Sequence, residues 1–287
     1  MAMTAEAQTG EGPAAAGLSE PLVMIPGIFG DAVLFGPQMR ALSGVLPVMV
    51  APPLGGERVE TIARHLLDQL PPRFALLGHG LGGVVAMEII RRAPERVARL
   101  CLMSTTPLPD TPDQAAAREP QIIAARTGRL EEALHACLPA DALGAGAHPS
   151  ILTSLYEQGL MLGEAFFITR SRAMQRRSDQ QASLRRYRGP TLALCGGADP
   201  ITPPMRHEFI ANMMPNARLQ VIEGAGHLPT LEAPQEVTTA LAHWLAAPLE
   251  DADLRAAAAG AQKVSEEKTD PPATKAPLPP LTLTNPL

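Results

Sequence analysis

Three separated groups of residues carry types and spacings suited to nucleophilic and proton-transfer chemistry. Phe74-Ala75-Leu76-Leu77 is a short apolar run that leads straight into Gly78-His79-Gly80-Leu81-Gly82-Gly83. Leu81 to Ala93 then has helical spacing and is stopped by Pro94. A strand, a sharp turn and a helix form the context in which G-x-S-x-G presents a nucleophile, and here Gly80 occupies the central position. Downstream, Leu192-Ala193-Leu194-Cys195-Gly196-Gly197-Ala198-Asp199 places a carboxylate just past an apolar run. Val221-Ile222-Glu223-Gly224-Ala225-Gly226-His227 places a histidine in a later turn. A carboxylate that fixes the tautomer of a histidine makes that histidine a general base. Taken alone, the glycine-rich turn would also suit a phosphate loop, but no Lys-Ser/Thr pair follows it and no G-x-G-x-x-G with a distal acid is present.

The order of central turn, acid and histidine resembles the α/β-hydrolase family, in its lidded esterase, lactonase and haloperoxidase-like branch. The resemblance covers about residues 21 to 247. It rests on the turn together with Gly-x-x-Asp-x-x-Thr-Pro at 196–203 and Gly-x-Gly-His-x-x-x-x-Glu-x-Pro at 224–234. It implies that Asp199 is the orienting acid, that His227 is the base, and that Gly80 stands at the nucleophile position with the serine missing. It also implies an oxyanion hole formed by the N–H groups of Leu81 and Ile28. Ile28 lies in Pro26-Gly27-Ile28-Phe29-Gly30, which is similar to the family's His-Gly-x turn with Pro26 in place of histidine. An ester, lactone or comparable acyl substrate follows from the resemblance, with no cofactor and no metal.

Gly80 leaves several readings open. The chain is a hydrolase homologue retained for ligand binding or interaction, an engineered Ser-to-Gly variant of an esterase, a protein whose Asp199–His227 pair activates water directly, or an interaction module working through its tail. Glycine relieves most of the backbone strain that a serine would suffer at such a turn, so the exchange trades a nucleophile for a relaxed elbow.

Alternating strands and helices must position these residues. Leu22 to Ile25, Val45 to Ala51, Phe74 to Leu77, Val97 to Met103, Thr191 to Cys195 and Arg218 to Ile222 read as strands. Arg58 to Leu70, Leu81 to Ala93 and Pro234 to Leu245 read as helices. This pattern predicts an α/β fold with a mostly parallel sheet flanked by helices. Between about 107 and 188 no strand is evident, and Gln121 to Leu138 and Ile151 to Arg177 look helical, which predicts an inserted cap over the strand ends. Residues 1–20 read as a disordered leader and 21–248 as one hydrolase-type domain. Residues 249–287, with Pro277-Leu278-Pro279-Pro280, read as a proline-rich flexible tail that could dock a protein partner.

Composition narrows the partners. A net charge of −5 argues against nucleic acid, and no apolar run approaches the roughly 20 residues needed to span a membrane. The N-terminus lacks the basic start and apolar stretch of a signal peptide, so a cytoplasmic location is expected. Abundant Ala, Arg, Pro and Gly suggest a GC-rich bacterial genome. Cys101, Cys137 and Cys195 have no metal-ligand spacing and read as free thiols. Aromatic residues are 3% of the chain, so a modest apolar pocket lined by Leu and Met is expected. His79 reads as an elbow-packing residue, and His65, His135, His148, His207 and His243 as exposed. Glu232 and Asp31 read as loop acids without a catalytic role. Ser104 sits at a strand end facing the site but off the elbow. Arg170, Arg172, Arg176, Arg177, Arg185, Arg186 and Arg188 read as a solvated helix face, with anion recognition as the alternative.

Overall fold

The computed structural model describes residues 20–28 and 30–249; the leader apart from Glu20, and the tail beyond 249, lie outside them. Six strands form one sheet: β1 (Leu22–Ile25), β2 (Val48–Val50), β3 (Phe74–His79), β4 (Val97–Met103), β5 (Thr191–Gly196) and β6 (Ala217–Ile222). Their order is β2-β1-β3-β4-β5-β6 and every pairing is parallel. A parallel ladder needs a crossover between neighbours, and helices supply each one.

The helices are α1 (Gly36–Leu42), α2 (Val59–Leu67), α3 (Leu81–Arg92), α4 (Pro112–Arg126), α5 (Leu130–Cys137), α6 (Ser150–Leu162), α7 (Glu164–Gln175), α8 (Gln181–Arg186), α9 (Pro204–Met213), α10 (Pro229–Glu232) and α11 (Pro234–Ala246). Both faces of the sheet are buried, which is why the central strands are continuous apolar runs. Along β1, Leu22 and Met24 join one core, and Val23 and Ile25 the other. Ala75 and Leu77 of β3 alternate with Phe74 and Leu76 in the same way. Helix α3 packs on the sheet with every residue from Leu81 to Ile90 buried. Its one buried acid, Glu88, is held by Arg91, Arg92 and Gln180.

Helices α4 to α8 all fall between β4 and β5, over the ends of the strands. Each long helical stretch read from the sequence is broken in two. Gly128 separates α4 from α5 and Gly163 separates α6 from α7, both at positive φ. The second strand is also shorter than the apolar run Val45 to Ala51, because residues 43–47 turn into it.

Candidate active site

The turn after β3 is built by close approach. A Cβ on Gly78 would lie 2.3 Å from the Gly82 carbonyl oxygen, one on Gly82 would lie 1.9 Å from the Ile25 oxygen, and one on Gly83 would lie 2.6 Å from Thr105. Only glycine fits at these three positions. Gly80 differs: a Cβ there would meet nothing nearer than Gly27 Cα, at 3.7 Å. Its φ of 55° and ψ of −118° nevertheless lie where residues with a side chain are strained. Gly80 N–H donates to the Met103 carbonyl of β4 at 3.1 Å. The Thr105 hydroxyl donates to the Gly80 carbonyl at 2.8 Å, and Thr105 N–H donates to His207 Nε2 at 3.1 Å.

His207 is fully buried, not exposed as its lack of a motif had suggested. It shares the inner face of α9 with Ile210, three residues on, and that spacing was the available signal. Burial pulls its pKa down to about 4, so it remains the neutral acceptor that Thr105 requires. His65, His135, His148 and His243 are exposed.

Asp199 and His227 meet on the loops after β5 and β6. His227 Nδ1 lies 2.9 Å from Asp199 Oδ2. Asp199 also accepts the N–H groups of Ile201 and Thr202 at 2.9 and 3.0 Å and the Thr202 hydroxyl at 2.7 Å. Burial acts to raise the Asp199 pKa, but the hydrogen bond and charge of His227, with the Thr202 bonds, outweigh it. The carboxyl is held well below the usual carboxylate range. With Nδ1–H directed to Asp199, Nε2 of His227 is left as the basic nitrogen.

The backbone of His227 is pinned from both sides. Its N–H donates to the Ala142 carbonyl at 2.7 Å, and its carbonyl accepts from His79 Nε2 at 2.8 Å. The two rings meet edge to face with centroids 5.2 Å apart. Burial, then the nearby His227, lowers the His79 pKa to about 3, so it packs as a neutral donor. Glu232 takes part as well. Its carboxylate accepts the N–H groups of Gly226, Leu228 and Gly144 at 2.8, 2.8 and 2.7 Å, tying the histidine loop to the cap. Its position five residues after His227 was visible in the sequence, but its role was not.

Leu81 is the first residue of α3, where N–H groups have no intrahelical acceptor and the helix dipole is positive. Ile28 lies across the turn after β1. Neither amide has a backbone acceptor among the described residues, and both residues line one cavity with Gly80, Ser104 and His227. Its volume is about 360 Å³, and its upper wall is mostly apolar cap residues such as Leu138, Leu155 and Met174. Ser104 is buried at φ 45°, with no partner for its hydroxyl among the described residues. It follows Met103, which pairs with His79 at the end of the β3–β4 register.

The arginine cluster does not behave as one solvated face. Arg170 is 1% exposed. Its Nη1 donates to the carbonyls of Gly27, Ile28 and Gly30 at 3.0, 2.9 and 3.0 Å, and Nε reaches the Pro53 carbonyl at 3.4 Å. The guanidinium stacks 3.3 Å above the Phe166 ring. Burial lowers its pKa to about 9, which leaves it charged at neutral pH. A buried cation with no carboxylate in hydrogen-bond contact is costly. Here the carbonyls of the Ile28 loop and the charge of Asp31 offset part of that cost, while Nη2 has no partner among the described residues. Arg177 is also buried, whereas Arg172 and Arg176 pair with Glu119 and Glu57. Arg185, Arg186 and Arg188 are exposed. The thiols of Cys101, Cys137 and Cys195 are free, and burial raises their pKa values.

Among the described residues no helix is long and apolar enough to cross a membrane. The chain is similar to the pimeloyl-[acyl-carrier protein] methyl ester esterase of Aromatoleum aromaticum, at 29% identity over 69% of this chain and 84% of that one. It is 31% identical to a stretch of the polyketide synthase ThaQ of Burkholderia thailandensis, covering 90% of this chain and 13% of that one. The solved structure of a thermophilic esterase from Thermogutta terrifontis superposes with a TM-score of 0.71 at 26% identity, over 79% of this chain and 89% of that one. The family model for the alpha/beta hydrolase family matches residues 23–240, and the chain belongs to that family.

Proposed function

We propose that the chain binds a carboxylic ester, lactone or comparable acyl substrate in the cavity above Gly80 and hydrolyses it with water activated by the Asp199–His227 pair. Gly80 stands where the family's serine attacks, so no acyl-enzyme forms. The carrying observation is the 2.9 Å bond from His227 to a buried, ionised Asp199, beside a turn with space in front of Gly80. In this reading His227 Nε2 removes a proton from water as the water oxygen bonds to the acyl carbon. The oxyanion is stabilised by the N–H groups of Leu81 and Ile28. The acyl C–O bond then breaks, and the imidazolium returns the proton to the leaving alkoxide. Asp199 stabilises the imidazolium meanwhile.

The family's esterase relatives support the substrate class. A site lacking its nucleophile retains roughly 10³- to 10⁴-fold acceleration over water from its remaining parts, and a slow reaction of that size is expected. A second reading, a non-catalytic acyl-ligand binder, is favoured by the same glycine. Short p-nitrophenyl esters separate the two. The proposal expects slow turnover without a burst, no labelling by a fluorophosphonate, and loss of the rate in His227→Ala. A rate unchanged in His227→Ala, with saturable ligand binding, would establish the binder.

A further inference from the structure

The cap wall of the cavity carries a charge that the hydrolytic chemistry does not use. Asp110 lies between β4 and α4 with its side chain 2% exposed. Two guanidiniums reach it: Arg177 Nη1 at 2.6 Å and Arg118 Nε at 2.6 Å. Arg177 is enclosed, with its side chain 5% exposed, and also donates to the Leu108 and Met174 carbonyls. It neutralises Asp110 from the interior. Arg118 is then in excess, is 20% exposed, and lines the cavity. Of the described residues lining the cavity, Arg118 alone carries a permanent charge. Gln121, one turn further along α4, lines the same wall and gives one N–H to the Ala136 carbonyl at 3.3 Å, keeping a second donor.

The cavity therefore has two polar ends. Amide donors and His227 lie at the floor, a guanidinium lies at the cap, and apolar side chains lie between. A cation partly removed from water is stabilised by an anion that completes its charge balance. Two arginines against one carboxylate leave one positive charge, which a second carboxylate would cancel.

We infer that the site selects acyl esters whose chain ends in a carboxylate, with Arg118 holding that carboxylate while the ester lies at His227. The inference rests on the acyl-ester reading above. A purely structural Asp110 triad, clipping the start of the cap to the end of α7, is the competing account.

Isothermal titration of the chain with monomethyl adipate and with methyl hexanoate at pH 7 tests it. A charge-assisted bond predicts roughly ten- to a hundredfold tighter binding of the anionic ester. Arg118→Gln should bring the two affinities together, and Arg118→Lys should keep part of the preference. Equal affinities in the parent chain overturn the inference and leave the ester reading standing. A preference that survives Arg118→Gln places the carboxylate at the Leu81 and Ile28 amides and overturns it as well. If neither ester binds at millimolar concentration, the ester reading fails and the inference falls with it.

Discussion

Arg170→Met removes a guanidinium that joins α7 to the loop carrying Ile28, while leaving a side chain of similar length to fill the space beside Phe166. Three carbonyls, those of Gly27, Ile28 and Gly30, lose their donor, and the Pro53 carbonyl loses a longer contact. Hydrogen bonds to a charged group contribute about 1.5–3 kcal/mol each, so three would total about 5–9 kcal/mol if they added. They do not add, because one guanidinium makes all of them and its own desolvation offsets part of the gain. A net loss of about 3–5 kcal/mol is therefore expected, a large share of the roughly 5–15 kcal/mol that holds a domain together.

Urea unfolding should show a lower midpoint with an unchanged slope, and Tm should fall by about 6–20 °C for a domain of this size. Limited proteolysis should cut the loop after β1 earlier than in the parent chain. Any hydrolytic rate should fall further than stability alone requires, because the Ile28 donor is no longer held. Arg170→Lys should recover charge but not the Nε contact to Pro53 or the planar group stacked on Phe166, and land between the two. A Tm within about 2 °C of the parent, with unaltered proteolysis of the loop after β1, would refute the argument that these bonds hold the loop.

Gly80→Ser should fold, since a Cβ there meets only Gly27 Cα at 3.7 Å, and should lose roughly 1–3 kcal/mol to backbone strain. It should also gain fluorophosphonate labelling and faster ester hydrolysis; a variant as silent as the parent would show that the dyad or the oxyanion donors are out of place. Acid should destabilise the fold well before the carboxylates titrate. His207 and His79 are held neutral to about pH 4 and 3, while in the unfolded chain they titrate near 6.5. The unfolded state thus binds more protons as pH falls from 6.5, so stability is full above 6.5 and declines below it, by on the order of 3 kcal/mol for His207 by pH 4. His207→Gln should flatten the Tm profile between pH 6.5 and 4, and an unchanged slope would assign the acid response elsewhere. Glu232→Gln should loosen the histidine loop, seen as faster exchange at Gly226 and Leu228, because a neutral amide replaces a carboxylate that accepts three N–H groups.

The parts of the fold legible in the sequence were those whose burial writes a local pattern. Strands β3 and β4 are covered on both faces, so their apolar runs are continuous, and α2 shows its buried stripe at Val59, Ile62, Ala63 and Leu66. A helix beginning near Pro203 could be read, but the extent and buried face of α9 were not legible, since only His207 and Ile210 of its ten residues are buried. Helix α1 is short and starts at a glycine, which gives it no periodic signature. At the site, Gly80, Asp199 and His227 stood out because turn chemistry demands glycines and prolines at fixed offsets around them. Arg170 could not be read in the same way. Its partners are backbone carbonyls about 140 residues away, and a carbonyl carries no residue identity. His207 likewise bonds a backbone N–H, that of Thr105.

The geometry at residue 80 is a property of its surroundings. Glycine is free to leave φ 55°, ψ −118°, and a relaxed elbow would be the natural outcome if residue 80 set its own conformation. The conformation is retained because the chain on either side has no slack. Gly78, Gly82 and Gly83 press against Gly82, Ile25 and Thr105 too closely to accept a Cβ, and Thr105, itself held by buried His207, fixes the Gly80 carbonyl. The same contacts hold Leu81 at the start of α3, where it lines the cavity. An elbow over-determined in this way keeps its donor and its space whichever residue stands at its tip. The more informative perturbation is therefore at a support. Gly83→Ala should displace Thr105 and with it the elbow, and should weaken acyl-ligand binding even though residue 83 touches no ligand. Unaltered affinity in a folded Gly83→Ala variant would show that the elbow does not depend on that packing.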